Sequence, residues 1–334
     1  MVREVVGTQQ RSQVKQFLSL FDLTFEDDCD DLLGIWDEQG RLIASGARQR
    51  ELLKMIAVDP DHQQTEAFAQ LVSELIRRGF NDGLETFFVV TRPQNSLSFE
   101  AVNFRLLCLT EQTALLEYGP GIAAYVDNHR PVRHDGVNGA VVINANPFTL
   151  GHRYLIETAA RQVDWLYVFV VQEDSSSFTF DVRYDLVCQG VTGVDNVTVL
   201  PTGPYAISAM TFPGYFLKDH DAVEAQQLEM DATLFARQLA PRFAIRRRFV
   251  GSEPYCDLTR RYNEALKKYL PRLGVDLIEI PRATNGCDAI SASQVRELLG
   301  DRSRATLEAL VPSSTLNYLL SSTFNTNGLA PGRH

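Results

Sequence analysis

The sequence lacks several features that would assign it to a specialised class. No apolar run approaches the roughly 18–20 residues that a membrane-spanning helix needs. The first residues, MVREVVGTQQRSQ, lack the apolar centre of a signal peptide. Positive charge is in deficit, since 32 Lys and Arg stand against 42 Asp and Glu and the formal net charge is −10. This balance argues against a general nucleic-acid or membrane-surface binder, because phosphate-rich partners would be repelled on average.

Cysteine is scarce, and its spacing indicates no framework. The five cysteines are an odd number and form no C-x-x-C motif, so neither a disulfide framework nor a zinc site is indicated. We expect reduced thiols, a cytoplasmic location and no metal held by the protein's own side chains. The 334 residues suggest two domains on a guide of about 100–200 residues each, and the 45% apolar fraction supplies a substantial core.

The rhythm of strands and helices changes near residue 139. Before it, a hairpin at Leu32–Ala47 and further short apolar strands surround one amphipathic helix at Thr65–Phe80. After it, strands alternate with helices, which indicates a parallel sheet covered on both faces. Residues 121–138 carry Pro and Gly signals of a connecting segment. We predict a first domain at 1–125, a linker at 126–138, a second domain at 139–322 and a frayed tail at 323–334.

The second domain has five candidate strands and several candidate helices. The strands are 140–144, 165–171, 197–201, 247–251 and 277–281, and the helices between them are 152–162, 182–191 and 258–270. In an open α/β sheet, ligands bind beyond the carboxyl ends of the strands. The residues that follow these strands are therefore the first candidates for a functional site.

The stretch NANPFTLGH follows the first of these strands and leads into a helix. A helix N-terminus offers unpaired N–H groups and the positive end of the helix dipole, which suits phosphate. Gly151 allows close approach of a ligand to the backbone, and His152 in the first turn can donate a hydrogen bond to a phosphate oxygen. Taken alone, this pattern is more often a helix cap with a solvated imidazole.

A second stretch, AISASQVRELLG, follows the last candidate strand and opens another helix. Ser291 or Ser293 is a good N-cap, and Arg296 lies one turn further. A hydroxyl, free backbone amides and a guanidinium could then converge on one anion. Taken alone, a capped surface helix with an exposed Arg explains these residues better.

Together, N-x-F-T-x-G-H and I-S-x-S-x-V-R resemble the signatures of the nucleotidyltransferase superfamily, H-x-G-H (or T-x-G-H) and I-S-S-T-x-x-R. With Phe178–Val187, SAMTFPGYFLKD (Ser208–Asp219) and VGSEPYCDLTRRYN (Val250–Asn263), they resemble the [citrate (pro-3S)-lyase] ligase family over nearly the whole chain. The resemblance implies an α/β protein: a Rossmann-like parallel-sheet nucleotidyltransferase domain preceded by an α+β GNAT-like domain.

The resemblance also implies a ligase that uses ATP, with Mg²⁺ bound through the nucleotide phosphates, to convert acetate into acetyl-AMP and pyrophosphate. The acetyl group would then pass to the thiol of a CoA-like prosthetic group on the acyl-carrier subunit of citrate lyase. This step activates the lyase. Neither nucleic acid nor a membrane is an implied partner.

Carried onto the matching motifs, the resemblance gives roles to individual residues. His152 is the first candidate for an α-phosphate donor, and Thr149 replaces the first His of H-x-G-H with a smaller hydroxyl donor. Ser291, Ser293 and Arg296 would hold the β- and γ-phosphates and the departing pyrophosphate.

Eight further residues are predicted to bind the nucleotide. They are Asn144, Asn146, Phe148, Gly151, Arg183, Lys218, Gly251 and Glu253. For the cations Arg183 and Lys218, a solvated surface position is an equal alternative. For Glu253, the alternative is a cap on the following helix.

The first domain departs from the pattern of active acetyltransferases. Their CoA-binding turn is [QR]-x-x-G-x-[GA], whereas the corresponding stretch here, HQQTEAFAQL (His62–Leu71), has no glycine. Glu66 would also place a negative charge near the phosphates. We therefore expect a degenerate domain that docks the carrier or its prosthetic arm.

Two other functions remain open at this point. An adenylyl- or cytidylyltransferase acting on a phosphorylated cofactor precursor would use the same phosphate-binding residues with another acceptor. A non-catalytic nucleotide-binding scaffold belongs to a different class, and such a protein would be expected to have lost one of the two motifs.

Overall fold

The computed structural model describes residues 1–63, 65–129, 134–172, 176–206, 220–253, 256–285, 288–300 and 304–321. Two compact units divide them. The first holds Met1–Tyr125 and the segment His220–Leu234; the second holds Val126–Ala206 and the described residues from Phe235 onward. Among the described residues, no helix is long and apolar enough to cross a membrane. The predicted bounds of the domains and of the linker stay predictions, and the tail at 323–334 lies outside the described residues.

The strands and helices are numbered in chain order. The strands are β1 (Val2–Glu4), β2 (Asp31–Trp36), β3 (Leu42–Gln49), β4 (Leu52–Val58), β5 (Phe87–Thr91), β6 (Arg105–Leu109), β7 (Ala114–Tyr118), β8 (Asn138–Ile143), β9 (Trp165–Val170), β10 (Val197–Pro201), β11 (Ile245–Gly251), β12 (Asp276–Ile280), β13 (Thr284–Asn285) and β14 (Asp288–Ala289). The α-helices are α1 (Gly7–Ser19), α2 (Ala67–Asn81), α3 (Ser96–Glu100), α4 (Gly121–Asn128), α5 (Leu150–Ala160), α6 (Phe180–Gly190), α7 (His220–Leu234), α8 (Ala240–Arg242), α9 (Asp257–Tyr269), α10 (Ala292–Glu297), α11 (Arg304–Glu308) and α12 (Ser313–Leu320).

The first unit is an α+β unit built on a seven-stranded sheet. Its strands lie in the order β1-β2-β3-β4-β5-β7-β6, and every neighbouring pair is antiparallel except β4 and β5. The predicted hairpin is confirmed, since β2 pairs with β3 and the N–H of Gly40 donates to the carbonyl of Asp37. The predicted apolar face of α2 is confirmed as well, because Leu71, Val72 and Leu75 are completely buried in the core of this unit.

Part of the predicted connecting segment is helical. The carboxylate of Glu117 accepts the N–H of Ile122 at 3.0 Å and so satisfies a free donor in the first turn of α4. Ile122 and Tyr125 are buried. The first residues of the predicted connecting segment thus form α4, and the Pro and Gly signals behind that prediction, at Pro131 and Gly136, lie beyond the end of this helix.

Helix α7 packs in the first unit, although the sequence placed this segment in the second domain. Met230 is completely buried, and its Sδ lies 3.0 Å from the Sγ of Cys108 on β6. The hydroxyl of Thr110 donates to Oε1 of Gln226 at 3.2 Å. These contacts join residues 116 and 122 positions apart, and no local pattern in the sequence predicts such a pairing.

The second unit is a parallel α/β unit, as predicted. Its five strands lie in the order β10-β9-β8-β11-β12, and every neighbouring pair is parallel. The predicted strands and helices of this sheet agree with the observed ones to within two residues at each end. Val141, Val168 and Phe249 are buried where the helices cover the sheet. This buried sheet fixes the ends of its strands, from which the loops with the predicted site residues emerge.

Candidate functional site

The parallel sheet reverses its strand order between β8 and β11. From β8 the chain proceeds through β9 to β10 on one side, whereas β11 and β12 lie on the other side. At such a switch point the loops that leave two adjacent strands turn away from one another and open a crevice. The loops after β8, β11 and β12 carry most of the residues predicted to bind the nucleotide.

A capping box fixes the start of α5. Oγ1 of Thr149 accepts the N–H of His152 at 3.3 Å, and the N–H of Thr149 donates to Nδ1 of the same imidazole at 3.1 Å. Thr149 is only 1% exposed. Its hydroxyl is thus engaged inside the protein, and the geometry gives Thr149 a positioning role where the sequence predicted a phosphate donor.

The same contacts decide where the imidazole carries its proton. Because Nδ1 of His152 accepts the backbone N–H of Thr149, the proton of the neutral ring resides on Nε2. Oγ1 of Thr149 lies 2.9 Å from Nδ1 and can donate its proton to it. Nε2 forms no hydrogen bond with any other described residue, so its N–H is available to a ligand.

The imidazole is uncharged at neutral pH. Burial and the positive charge of Arg282 both lower the pKa of His152, to about 4. Both causes act in one direction, because a weakly polar surrounding and a nearby cation each oppose the imidazolium ion. His152 therefore offers a phosphate a neutral N–H donor. The ring is also held by Phe148, which stacks on it with 5.8 Å between the ring centroids and an interplanar angle of 16°.

Phe148 itself lies in the core rather than in the crevice. It is completely buried, and a Cβ added at Gly190 of α6 would lie only 2.2 Å from its ring. The structure therefore places this predicted nucleotide-binding residue beneath the site, where it supports the imidazole.

The two asparagines after β8 keep their amide groups available. Oδ1 of Asn144 accepts from Ser176 and from Arg183, at 3.1 Å and 2.8 Å. Oδ1 of Asn146 accepts the N–H of Phe178 at 3.1 Å. Neither Nδ2 group forms a hydrogen bond within the described residues. This orientation agrees with the amide-donor role predicted for both side chains.

Arg183 does not reach the crevice as a nucleotide-binding cation. Its side chain is completely buried, and Nη1 donates to the carbonyls of Asn144 and Val171 at 2.7 Å and 2.9 Å. Nε donates to the carbonyl of Phe178 at 3.1 Å. The guanidinium therefore ties the ends of β8 and β9 together. The surface position that the sequence left as an alternative is excluded too.

The two motifs that lie far apart in the sequence converge in space. Nη1 of Arg296 donates to the carbonyl of Asn146 at 2.5 Å, although 150 residues separate the two. A Cβ added at Gly151 would lie 2.9 Å from the carbonyl oxygen of Ile290, so the segment before α10 passes directly over the first turn of α5. His152 and Arg296 therefore belong to one edge of the sheet.

The serines of the second motif shape the start of α10. Oγ of Ser291 accepts the N–H of Gln294 at 3.2 Å in a second capping box. Oγ of Ser293 accepts from Nη2 of Arg296 at 2.9 Å. Both hydroxyls act as acceptors in these contacts, so each retains its proton for a ligand.

The loop after β11 combines an open backbone with a buried ion pair. A Cβ added at Gly251 would meet no atom of a described residue within 4 Å, so a ligand can approach the chain here. Oε1 of Glu253 accepts the N–H of Cys256 at 3.0 Å, and Oε2 accepts from the guanidinium of Arg282. Cys256 is the N-cap residue of α9. The structure thus favours the helix-capping alternative for Glu253.

Two residues complete the comparison with the predicted set. Lys218 lies outside the described residues. Arg282 was not predicted, although it stands just beyond the carboxyl end of β12 and acts on His152. The rule that selected Glu253, namely a charged residue just after a strand of this sheet, would have selected Arg282 as well.

Comparison with known proteins identifies the family of the chain. A model of the citrate lyase ligase C-terminal domain matches residues 138–319, more than half of the chain and all of the predicted site. The chain is 39% identical over 324 residues to the [citrate [pro-3S]-lyase] ligase of Klebsiella pneumoniae, and the alignment covers 93% of each protein. The chain belongs to the citrate lyase ligase family. The ligase of the same name from Escherichia coli strain K12 is 33% identical over 319 residues, which cover 93% of this chain and 90% of that protein.

Solved structures give weaker likenesses to this family member. TmcAL of Thermotoga maritima, bound with alpha-thio ATP, aligns over 55% of each chain at 13% identity with a TM-score of 0.33. An aminoglycoside 6'-N-acetyltransferase complexed with coenzyme A aligns over 36% of this chain and 96% of its own, at 8% identity and a TM-score of 0.33.

Proposed function

We propose that this protein is an ATP-dependent [citrate (pro-3S)-lyase] ligase that activates acetate as acetyl-AMP and acetylates the carrier thiol of citrate lyase. The observation that carries the proposal is the convergence of the two segments predicted to bind phosphate, through Arg296 and Asn146, beside the neutral imidazole of His152. Membership of the family supplies the substrate class.

The first step is a displacement at the α-phosphorus of ATP. A carboxylate oxygen of acetate forms a bond to this phosphorus, the bond to the bridging oxygen breaks, and pyrophosphate leaves with the electron pair. Negative charge grows on the α-phosphate oxygens and on the departing oxygen, so positioned donors and Mg²⁺ stabilise the transition state. The Nε2–H of His152 is the proposed donor to the α-phosphate.

The remaining residues bind different parts of the nucleotide. Arg296 and the hydroxyl protons of Ser291 and Ser293 hold the β- and γ-phosphates. The Nδ2 groups of Asn144 and Asn146 donate near the end of β8. Mg²⁺ would be held through the nucleotide phosphates and would neutralise part of their charge.

The second step needs no nucleophile from this chain. The thiol of the CoA-like prosthetic group on the acyl-carrier subunit attacks the acetyl carbon, AMP departs with the bonding electrons, and the thiol proton is lost to solvent. The first unit docks the carrier or its prosthetic arm in this proposal. A cytoplasmic location is part of it, because free thiols such as those of Cys108 and Cys256 suit a reducing compartment.

Exchange of labelled pyrophosphate into ATP tests the activation step without the carrier. The proposal expects exchange that requires both Mg²⁺ and acetate. Exchange or product formation that requires a phosphorylated cofactor precursor in place of acetate would identify a transferase with the same fold. ATP binding by calorimetry at millimolar nucleotide with Mg²⁺, without exchange under any of these conditions, would identify a nucleotide-binding scaffold, and absence of binding would refute the ligase assignment.

A further inference from the structure

Arg282 has no part in the roles assigned above, yet it is anchored at the switch point of the sheet. Its backbone N–H donates to Oγ of Ser252 at 3.2 Å, and its Nε donates to the carbonyl of Ser252 at 2.8 Å. Its Nη2 group pairs with Glu253. Ser252 directly follows β11, the neighbour of β8 in the sheet, so these contacts hold the guanidinium beside the loop that carries His152.

The ion pair leaves part of the guanidinium accessible. The side chain of Glu253 is 4% exposed, whereas that of Arg282 is 25% exposed. A guanidinium has five N–H donors. The contacts formed within the described residues use the Nε proton and one proton of Nη2, so that three N–H groups remain for a ligand. Glu253 thus holds a partly exposed cation in a fixed position without covering it.

The charge of the site points to the same ligand. His152 is neutral, and Arg183 is buried beneath the loop after β8. The negative charge of the departing pyrophosphate must therefore be balanced by other cations. Arg296 supplies only one positive charge. A guanidinium suits this task, because its planar donors match phosphate oxygens in pairs.

We propose that Arg282 is a further nucleotide-binding residue, which donates to the phosphates that leave as pyrophosphate, and that Glu253 is the positioning residue which holds it in place. The inference rests on the proposed function, since the ligand is the triphosphate of ATP. It assigns to the end of β12 a part in the reaction that neither sequence motif contains.

The test compares Arg282→Gln with the double variant Glu253→Gln/Arg282→Gln. The single change leaves a buried carboxylate without its cation and is expected to lower the melting temperature. The double change removes both charges and is expected to restore much of that loss. If Arg282 binds phosphate, pyrophosphate exchange stays at least about tenfold below wild type in the folded double variant, with a raised KM for pyrophosphate. Exchange at the wild-type level in the double variant would overturn the proposal and leave the pair a purely structural role.

Two further variants keep the result interpretable. Arg282→Lys retains the charge, and it is expected to exchange faster than Arg282→Gln; equal rates in the two, at equal melting temperatures, would count against a phosphate contact. Arg272→Gln is the matched control, because this exposed arginine precedes β12 at the opposite end of the strand. It is expected to exchange at the wild-type rate.

Failure of this inference differs from failure of the proposed function. Wild-type protein that neither binds Mg-ATP nor exchanges pyrophosphate would refute the ligase assignment. Wild-type protein that exchanges, together with a double variant that exchanges equally well, would refute only the role of Arg282.

Discussion

The backbone N–H of Thr149 donates to Nδ1 of His152 at 3.1 Å, and this contact determines how the imidazole can act. It places the ring proton on Nε2, the nitrogen without a described partner. Burial, together with the positive charge of Arg282, lowers the pKa of the imidazole and keeps the ring neutral. The helix cap and the proposed phosphate donor are therefore one arrangement, since the residue that closes the cap also orients the donor.

Replacement of His152 separates its two roles. His152→Gln retains a side-chain acceptor for the N–H of Thr149, because glutamine is a usual third residue of a capping box. We expect its melting temperature to stay near that of the wild type and part of its acetate-dependent pyrophosphate exchange to remain, because the amide of glutamine still offers N–H donors. His152→Ala has no side-chain donor, so its exchange should fall by at least about tenfold, and α5 should lose some stability. Exchange at the wild-type rate in folded His152→Ala would contradict the assignment.

The stability of the protein should depend on pH through His152. Its pKa is 6.5 in the unfolded chain and about 4 in the folded protein, so the unfolded state binds more protons between these values. The contribution of the neutral ring is fully present above pH 6.5 and is lost as the pH falls toward 4. Between pH 7 and pH 5, the wild type should lose up to about 2 kcal/mol more unfolding free energy than His152→Gln. Urea denaturation of both proteins at the two pH values measures this difference, and parallel losses would contradict it.

Replacement of Arg183 should lower the stability of the protein rather than remove a direct contact with the nucleotide. Arg183→Gln removes donors from the carbonyls of Asn144, Val171 and the buried Phe178. A buried acceptor left without its donor costs about 1–3 kcal/mol, so we expect a loss of at least about 1 kcal/mol in unfolding free energy. Chemical denaturation measures it. A variant as stable as the wild type that had lost only ATP affinity would instead support direct binding by Arg183.

Gly151→Ala should disturb the contact between the two motifs. The added Cβ would lie 2.9 Å from the carbonyl of Ile290, so the segment before α10 must move away from α5. Overpacking of this kind costs about 1–3 kcal/mol. We expect a lower melting temperature together with a higher KM for ATP. An unchanged KM would show that the spacing of these segments does not matter for the nucleotide.

Gly251→Ala provides the opposite case. No atom of the described residues lies within 4 Å of the added Cβ, so the fold should tolerate the change. If the nucleotide approaches the backbone at the end of β11, the methyl group should obstruct it and raise the KM for ATP several-fold at an unchanged melting temperature. An unaltered KM would remove Gly251 from the site.

The sequence predicted the parallel sheet well because its signals are local. Apolar strands such as β8 and β9 are short apolar runs bounded by polar turns, and the helices between them repeat their apolar residues about every 3.6 positions. Both patterns can be recognised without knowledge of the elements on which they pack. The start of α5 was predicted for the same reason, since a helix cap is formed by residues that are adjacent in the sequence. The place of α7 was not, because its packing on β6 depends on contacts between residues more than a hundred positions apart.

The direction of side chains was the second feature that the sequence did not predict. Arg183 and Phe148 stand in the right segments, yet both are turned into the protein, and a sequence position does not say which way a side chain points. Arg282 shows the converse. Its proposed role depends on its neighbours Ser252 and Glu253 in the loop after β11, and this relation becomes visible only when β11 and β12 are placed side by side.

The most direct test of the account is a crystal structure of the protein with Mg²⁺ and a non-hydrolysable ATP analogue. The account predicts that Nε2 of His152 lies about 2.7–3.2 Å from an α-phosphate oxygen, and that the guanidinium of Arg296 contacts the β- or γ-phosphate of the same molecule. A nucleotide bound away from the edge between β8 and β11, or one that touches neither side chain, would contradict it.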